Sequence, residues 1–403
     1  MLQRLRVKNF KLLREVDVQF QEDVPTVLIG PNASGKSTVI EVLDFLSRCA
    51  TDGLEAALVA HGGMSSVRTA GTTDPIEIVT DWSFEPEEKV RTRWALRWEL
   101  SLDAGPGGQV FIRSESLHNG ERVLLSTSED GKRSVVDELN PETPPTPITK
   151  GGTLGFLALV DDHRYPGLGL LRQVVGEIRA LGAIASAPPW ARVSTERASP
   201  RDALVISTQG FVDREGLGLA NALYNLQMNH SEAWDKLQRA FRAEFPFVKR
   251  IIFPPDPGGS RIYFALEDER FAGRKIYASE MSDGMIVYLC LLSMILSPDQ
   301  RAVLAIDEPD AHLHPSAVRR LLALAHEKQG RRRLIIVTHS NALLDELREP
   351  AASIRIVAST KAGTRIDKLD PEALTAWRAD YTVSEMRRTG LLDPSNSAYG
   401  NED

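Results

Sequence analysis

The chain has 403 residues, 42% of them hydrophobic and 26% charged, with a formal net charge of −7. That length permits two or three domains or one large domain carrying insertions, and the composition is that of an ordinary globular protein. The negative balance excludes a global attraction to nucleic acid or anionic membrane, so any such contact needs a local basic patch.

Cys49 and Cys290 lie far apart in apolar contexts, where neither a disulfide framework nor a zinc spacing can be built. The opening residues alternate apolar and polar and lack the apolar core of a signal peptide. The longest apolar run, Ile286 to Leu296, is about half of a membrane span and predicts a buried helix. A cytoplasmic protein without membrane contact is expected.

In chain order, Leu2 to Val7 and Val16 to Phe20 predict an opening hairpin, and Val24 to Ile29 a compact apolar strand. A Gly-rich loop follows, then helical spacing over Thr38 to Arg48 and a Gly-bearing segment, His61 to Arg68. From Ile76 to about Leu139 the apolar period becomes two, with turn signals between runs, which predicts an antiparallel meander. A Pro-rich connector closes it. Residues 154–248 read as mainly helical, with a loop-rich stretch over 185–200, and strands are expected at Arg250 to Phe253 and Arg261 to Leu266. The remainder alternates: a helix after Gly284, strand Ala302 to Ile306, helix Ser316 to Lys328, strand Leu334 to Val337, helix Ala342 to Arg348 and a closing hairpin over 354–369. Such alternation predicts a parallel sheet flanked by helices. The segment after Asp380 is expected to be polar and mobile.

Gly30, Pro31, Asn32, Ala33, Ser34, Gly35, Lys36 and Ser37 fit G-x4-G-K-[ST] between an apolar strand and a helix, the context this phosphate loop requires. Its glycines let backbone N–H groups converge on phosphate oxygens, and the helix start adds partial positive charge. Lys36 would reach the β- and γ-phosphates, Ser37 would ligate Mg²⁺, and Thr38 would bond the α-phosphate. Asp307 and Glu308 end an apolar strand, where carboxylates face the nucleotide crevice of an open α/β sheet. Asp307 is expected to hold Mg²⁺ and Glu308 to polarise the attacking water. His339 ends the next apolar strand and is placed to touch the γ-phosphate or orient Glu308. His312 and His314 have no third ligand nearby, so a structural role outweighs a metal site.

Ser282, Asp283 and Gly284 precede the apolar helix. They make an anion-binding end, or a simple N-cap by Ser282. Since the phosphate loop already cradles the chain's own nucleotide, a partner's nucleotide is the natural target of that end.

Together these segments resemble ABC-superfamily ATPases of the RecF/SMC/OLD branch, specifically soluble AAA-type ATP-binding proteins of OLD type. The likeness rests on Val7 to Lys11, Gly30 to Ser37, Met281 to Met285, Asp307 to Pro309 with Leu313 to Pro315, and His339, covering roughly 1–70 and 270–360. It implies an α/β, P-loop ABC-type ATPase head with an antiparallel β lateral layer and a helical insertion. The core would run over 1–75 and 271–370, the meander over 76–139, the helical insertion over 140–270 and a tail over 371–403.

The resemblance further implies two protomers sandwiching two ATPs, with Ser282 and Gly284 of one contacting the γ-phosphate held by the other. Asp310 to His312 would form the D-loop, and the segment Asn9 to Lys11, Lys11 included, would lie near the nucleotide base or phosphates. The signature reads Met281-Ser282-Asp283-Gly284-Met285 rather than LSGGQ, and no glutamine lies between Ser37 and Gln109 to serve the Q-loop. The segment His61 to Gly63 is where a substitute would lie.

Too little chain follows His339 for the Toprim domain of OLD-type nucleases, so a nuclease or Toprim-like effector would be a separate protein. A DNA-linked ATPase switch in repair or phage defence is the expected function, with residues 239–250 and Arg331 to Arg333 as candidate phosphate contacts. Competing readings are a regulatory nucleotide-binding module, a small-molecule kinase and a transporter's nucleotide-binding subunit. The last is disfavoured by the long insertion between Ser37 and Ser282.

Overall fold

Apolar residues on successive positions of a short strand can all be buried only if both faces of its sheet are covered. The computed structural model has this arrangement. It describes residues 1–84, 94–105, 108–149, 152–182, 184, 199–207, 210–256, 258–271, 273–298, 303–327, 332–372, 374, 382–389 and 392.

The core sheet has six strands in the order Arg179–Leu181, Val303–Asp307, Arg333–Val337, Thr26–Ile29, Ile354–Thr360 and Gly363–Lys368. The first five run parallel and the last is antiparallel, closing the hairpin expected over 354–369. Side chains alternate between two hydrophobic cores. Val27, Ile29, Leu304, Ile306, Leu334, Ile336, Ile354 and Ile356 pack on one face. Leu28, Val303, Ala305, Ile335, Val337 and Val357 pack on the other.

The first face is covered by the helix Asp283–Leu296, in which every residue from Met285 to Leu296 is buried. A helix apolar all round belongs in such an interior. Below it lie the helices Leu219–Asn229 and Ser231–Glu244, with Phe241 and Tyr288 stacked at 6.1 Å between ring centres. The second face is covered by the helix Lys36–Thr51 and by an eight-stranded lateral sheet. The lateral sheet is antiparallel throughout. The opening hairpin, Leu2–Phe10 with Leu13–Gln19, adds its strand Leu2–Phe10 to Ile76–Phe84, so hairpin and meander form one layer. The meander extends into the Pro-rich connector, where Thr146–Ile148 supplies the last strand.

Several elements differ from expectation. The stretch read as mainly helical contains the helices Gly155–Ala158 and Pro166–Gly176, but also Arg179–Leu181, which forms the edge strand of the core sheet. Three residues are too few to leave a periodic signal. The strand expected at Arg250 to Phe253 runs Val248–Ile252, and the last predicted helix shortens to Asn341–Asp345. The chain after Asp380 is not simply a polar tail, because Val383–Arg388 is a helix with Val383 and Met386 buried. Most of the loop-rich stretch over 185–200, Arg331 and residues 393–403 lie outside the described residues. Among those described, no helix is long and apolar enough to cross a membrane, and both cysteines are free and buried.

Candidate nucleotide site

Three parallel neighbours of the core sheet end at one level. Val337 is in register with Leu28 on one side and Asp307 on the other. The loops that follow these strands therefore emerge side by side at the carboxyl edge of the sheet, where open α/β folds bind ligands.

The loop from Gly30 to Gly35 has Ala33 at φ 59° and Gly35 at φ 100°. A Cβ on Gly35 would meet Thr364 Oγ1 at 2.4 Å, and one on Gly30 would meet the Val357 carbonyl oxygen at 2.0 Å. Both glycines are thus fixed by the closing hairpin, whose Thr364 hydroxyl also donates to the Ser34 carbonyl at 2.9 Å. Pro31, Asn32 and Ala33 form the exposed tip, while Ser34, Gly35, Lys36 and Thr38 are buried. Lys36 opens the helix, and its Nζ donates to the carbonyls of Gly30 (3.2 Å) and Pro31 (2.7 Å). Burial lowers its pKa, against the opposing pull of the Glu308 carboxylate.

Ser37 Oγ donates to Asp307 Oδ1 at 3.1 Å. Burial raises the Asp307 pKa, with Ser37 opposing and Glu308 reinforcing the shift. Glu308 sits at φ 48°, its N–H donating to the Val337 carbonyl at 2.8 Å. A non-glycine residue in that conformation carries backbone strain of about 1–3 kcal/mol. His339 Nε2 lies 3.8 Å from Glu308 Oε1. Burial, then the charges of Lys36 and Arg387, lower the His339 pKa, so the ring is neutral at physiological pH.

Ser34 Oγ is buried without a hydrogen-bond partner. An unsatisfied buried hydroxyl beside a lysine folded onto its own loop, with a serine–carboxylate pair next to it, fits a phosphate chain and a divalent cation. Ser37 and Asp307 are the groups that would hold Mg²⁺.

At the other helix start, Ser282 Oγ accepts from the Met285 N–H at 3.3 Å, so the N-cap reading describes the local geometry. A Cβ on Gly284 would meet the His312 carbonyl oxygen at 2.7 Å, so the signature turn and the segment Asp310 to His312 are packed into one edge. Thr338 Oγ1 donates to Asp310 Oδ1 at 2.5 Å, which ties this edge to the loop bearing His339.

The structure brings Lys36, Ser37, Asp307, Glu308 and His339 together. The Lys11 ammonium pairs with Glu41 at 3.0 Å on the flank of the helix Lys36–Thr51. His61 is not at the nucleotide edge. It is buried against Phe45, with Nδ1 2.9 Å from the Ala57 carbonyl and Nε2 3.3 Å from Asp44. Arg332 and Arg333 are corrections to the basic-patch reading. Arg332 donates to the carbonyls of Met294, Ile295 and Ser297, and the buried Arg333 donates to that of Leu2. Both serve the interior and are withdrawn from any DNA surface. His314 accepts or donates at Ser316 Oγ (2.8 Å), a local structural contact, and no cluster of three or more His, Cys, Asp or Glu fit for a metal occurs among the described residues.

Three arginines escaped the sequence reading. Arg201, its side chain 1% exposed, donates to the carbonyls of Ala278 and Met281 at 2.6 Å each and to Asp283 at 2.7 Å, bracing the signature turn. Arg214 spans Glu41 and Asp44 and also draws down the Asp307 pKa. Arg387 meets His339. None sits in a motif, because each acts across a long sequence separation.

Two family descriptions match parts of the chain. "AAA ATPase domain" matches residues 1–143, and "AAA domain, putative AbiEii toxin, Type IV TA system" matches residues 195–345. An SMC head solved bound to the C-winged helix domain of ScpA has a TM-score of 0.51 and 17% identity, covering 93% of this chain and 99% of that one. The chain therefore has the fold of an SMC head domain. An Smc head with an extended coiled coil, bound to the C-terminal domain of ScpA and derived from Pyrococcus furiosus, agrees at a TM-score of 0.51 and 14% identity, over 94% and 98% of the two chains. The head's fold class is therefore the one expected from its motifs. A comparison with curated proteins gives no match.

Proposed function

We propose that this head binds ATP and Mg²⁺ at the phosphate loop and hydrolyses ATP across a head-to-tail homodimer, acting as a conformational switch of OLD type. The convergence of Lys36, Ser37, Asp307, Glu308 and His339 at one sheet edge carries the reading. Bound Mg²⁺ would neutralise phosphate charge. Ser37 and Asp307 would hold it, Lys36 would grip the terminal phosphates, and Glu308 would accept a proton from the attacking water.

The packing of Gly284 on His312 supports action in trans, because the signature turn and D-loop form one edge able to meet a second protomer together. Ser282 and Gly284 would then complete the partner's γ-phosphate site. The opening and closing of such a dimer would be passed to DNA or to a separate nuclease or Toprim-like effector. That SMC heads of similar fold are solved with a ScpA domain bound supports effector docking on this scaffold. The toxin–antitoxin wording attached to residues 195–345 suits a defence setting.

Glu308→Gln keeps the carboxylate's shape and removes its basicity. It should retain ATP, lower turnover by about 100-fold or more, and elute as a dimer with ATP in size-exclusion chromatography. A monomer under those conditions would end the sandwich reading.

A further inference from the structure

The helix Val383–Arg388 is fixed at its start by a capping box. Thr382 caps it through the Glu385 N–H, and Glu385 reaches back to the Thr382 N–H. Val383 and Met386 are buried, and the Ser384 N–H donates to Asp345 Oδ1 at 3.0 Å on the short helix that follows His339. This docking sets Arg387 against the switch loop. Its Nη1 donates to the His339 carbonyl at 2.9 Å, and its Nη2 lies 3.3 Å from His339 Nδ1.

A guanidinium has donors only, so Nδ1 must be the acceptor in that contact. In a neutral imidazole the proton then resides on Nε2, the nitrogen facing Glu308. We propose that Arg387 is a positioning residue for the switch histidine, holding its carbonyl and Nδ1 in one planar fork so that the Nε2–H points to Glu308. The claim rests on the reading of this edge as an ATP-hydrolysing site. The groups facing the ring are Lys36 from the phosphate loop, Glu308 and Asp310 from the loop after Asp307, and Arg387 from the terminal helix. Their combined effect with burial favours the neutral ring that the fork requires.

The test uses the full chain and has two arms. Nitrogen-15 spectra of the histidine side chains, with His339 assigned by His339→Gln, should show the wild-type proton on Nε2. A proton on Nδ1 would overturn the proposal. In Arg387→Met, His339 should populate both tautomers, and kcat should fall about tenfold while the ATP Kd stays within about twofold. Arg387→Lys, which keeps the charge but not the fork, should recover only part of the rate, and it serves in place of the methionine variant if that one fails to fold. An unchanged tautomer and kcat in both variants would also overturn it. If the wild-type chain turns over no ATP, the hydrolysis reading fails, and the tautomer spectra alone then decide the role of Arg387.

Discussion

The phosphate loop and the signature turn both place a glycine at a helix start, yet they are built for different tasks. In the first, positive-φ residues curve the backbone into a cradle, a lysine folds over it, and a buried serine hydroxyl is left without a partner. In the second, Ser282 caps its own helix, Asp283 is clamped by Arg201, and Gly284 has no room for a Cβ beneath His312. One is a cradle shaped by its own backbone, and the other is an edge held rigid by the Ser282 cap and the Arg201 clamp. A surface that rigid recognises a ligand by where it is held rather than by closing around it. Signature turns acting on a partner's nucleotide would need that property.

Breaking the cradle should have the largest effect. Lys36→Ala removes a charged donor from the phosphates and should weaken ATP binding about 100-fold by titration calorimetry. Retained affinity would transfer the phosphate site elsewhere. Breaking the edge should act on stability and turnover without touching the cradle. Arg201→Met leaves the Ala278 and Met281 carbonyls without their buried donor, which should cost about 2 kcal/mol in a denaturant titration. ATP affinity should hold in this variant while turnover falls, and an equal loss of both would show that the two helix starts are not separable.

A milder probe is pH. Because burial and two cations lower the His339 pKa, its imidazolium forms only below the ordinary value of about 6.5. Turnover should therefore be flat at neutral pH and decline severalfold below that value, and the limb attributable to His339 should vanish in His339→Gln. A decline centred above pH 7 would contradict the depressed pKa.

The arginine-rich segments show how far sequence carries. Arg331 to Arg333 resembles a phosphate-binding run, but in the fold Arg332 satisfies carbonyls at the end of the apolar helix and Arg333 that of Leu2 in the lateral sheet. Arg387, followed by Arg388 alone, forms no such run and is the arginine that reaches His339. Charge runs report composition, whereas a guanidinium's partner depends on which distant backbone ends nearby. The capping box at Thr382 and Glu385 was a readable helix signal, but nothing local says where that helix docks.

What the sequence by itself determined were the features set over a few residues. These are the apolar strands that end in Gly30, Asp307 and His339, the turn chemistry of the meander, and the fully apolar helix after Gly284. Backbone conformation and pleat or helix period are local properties, so their signals survive without a partner in view. Tertiary structure alone decided the strand Arg179–Leu181, the placing of Arg201 and Arg387 on the two loops, and the partners of Lys11, His61 and Arg333. Those depend on the hydrogen-bonding and burial demands of groups far away in the chain, which only the folded sheet brings within reach.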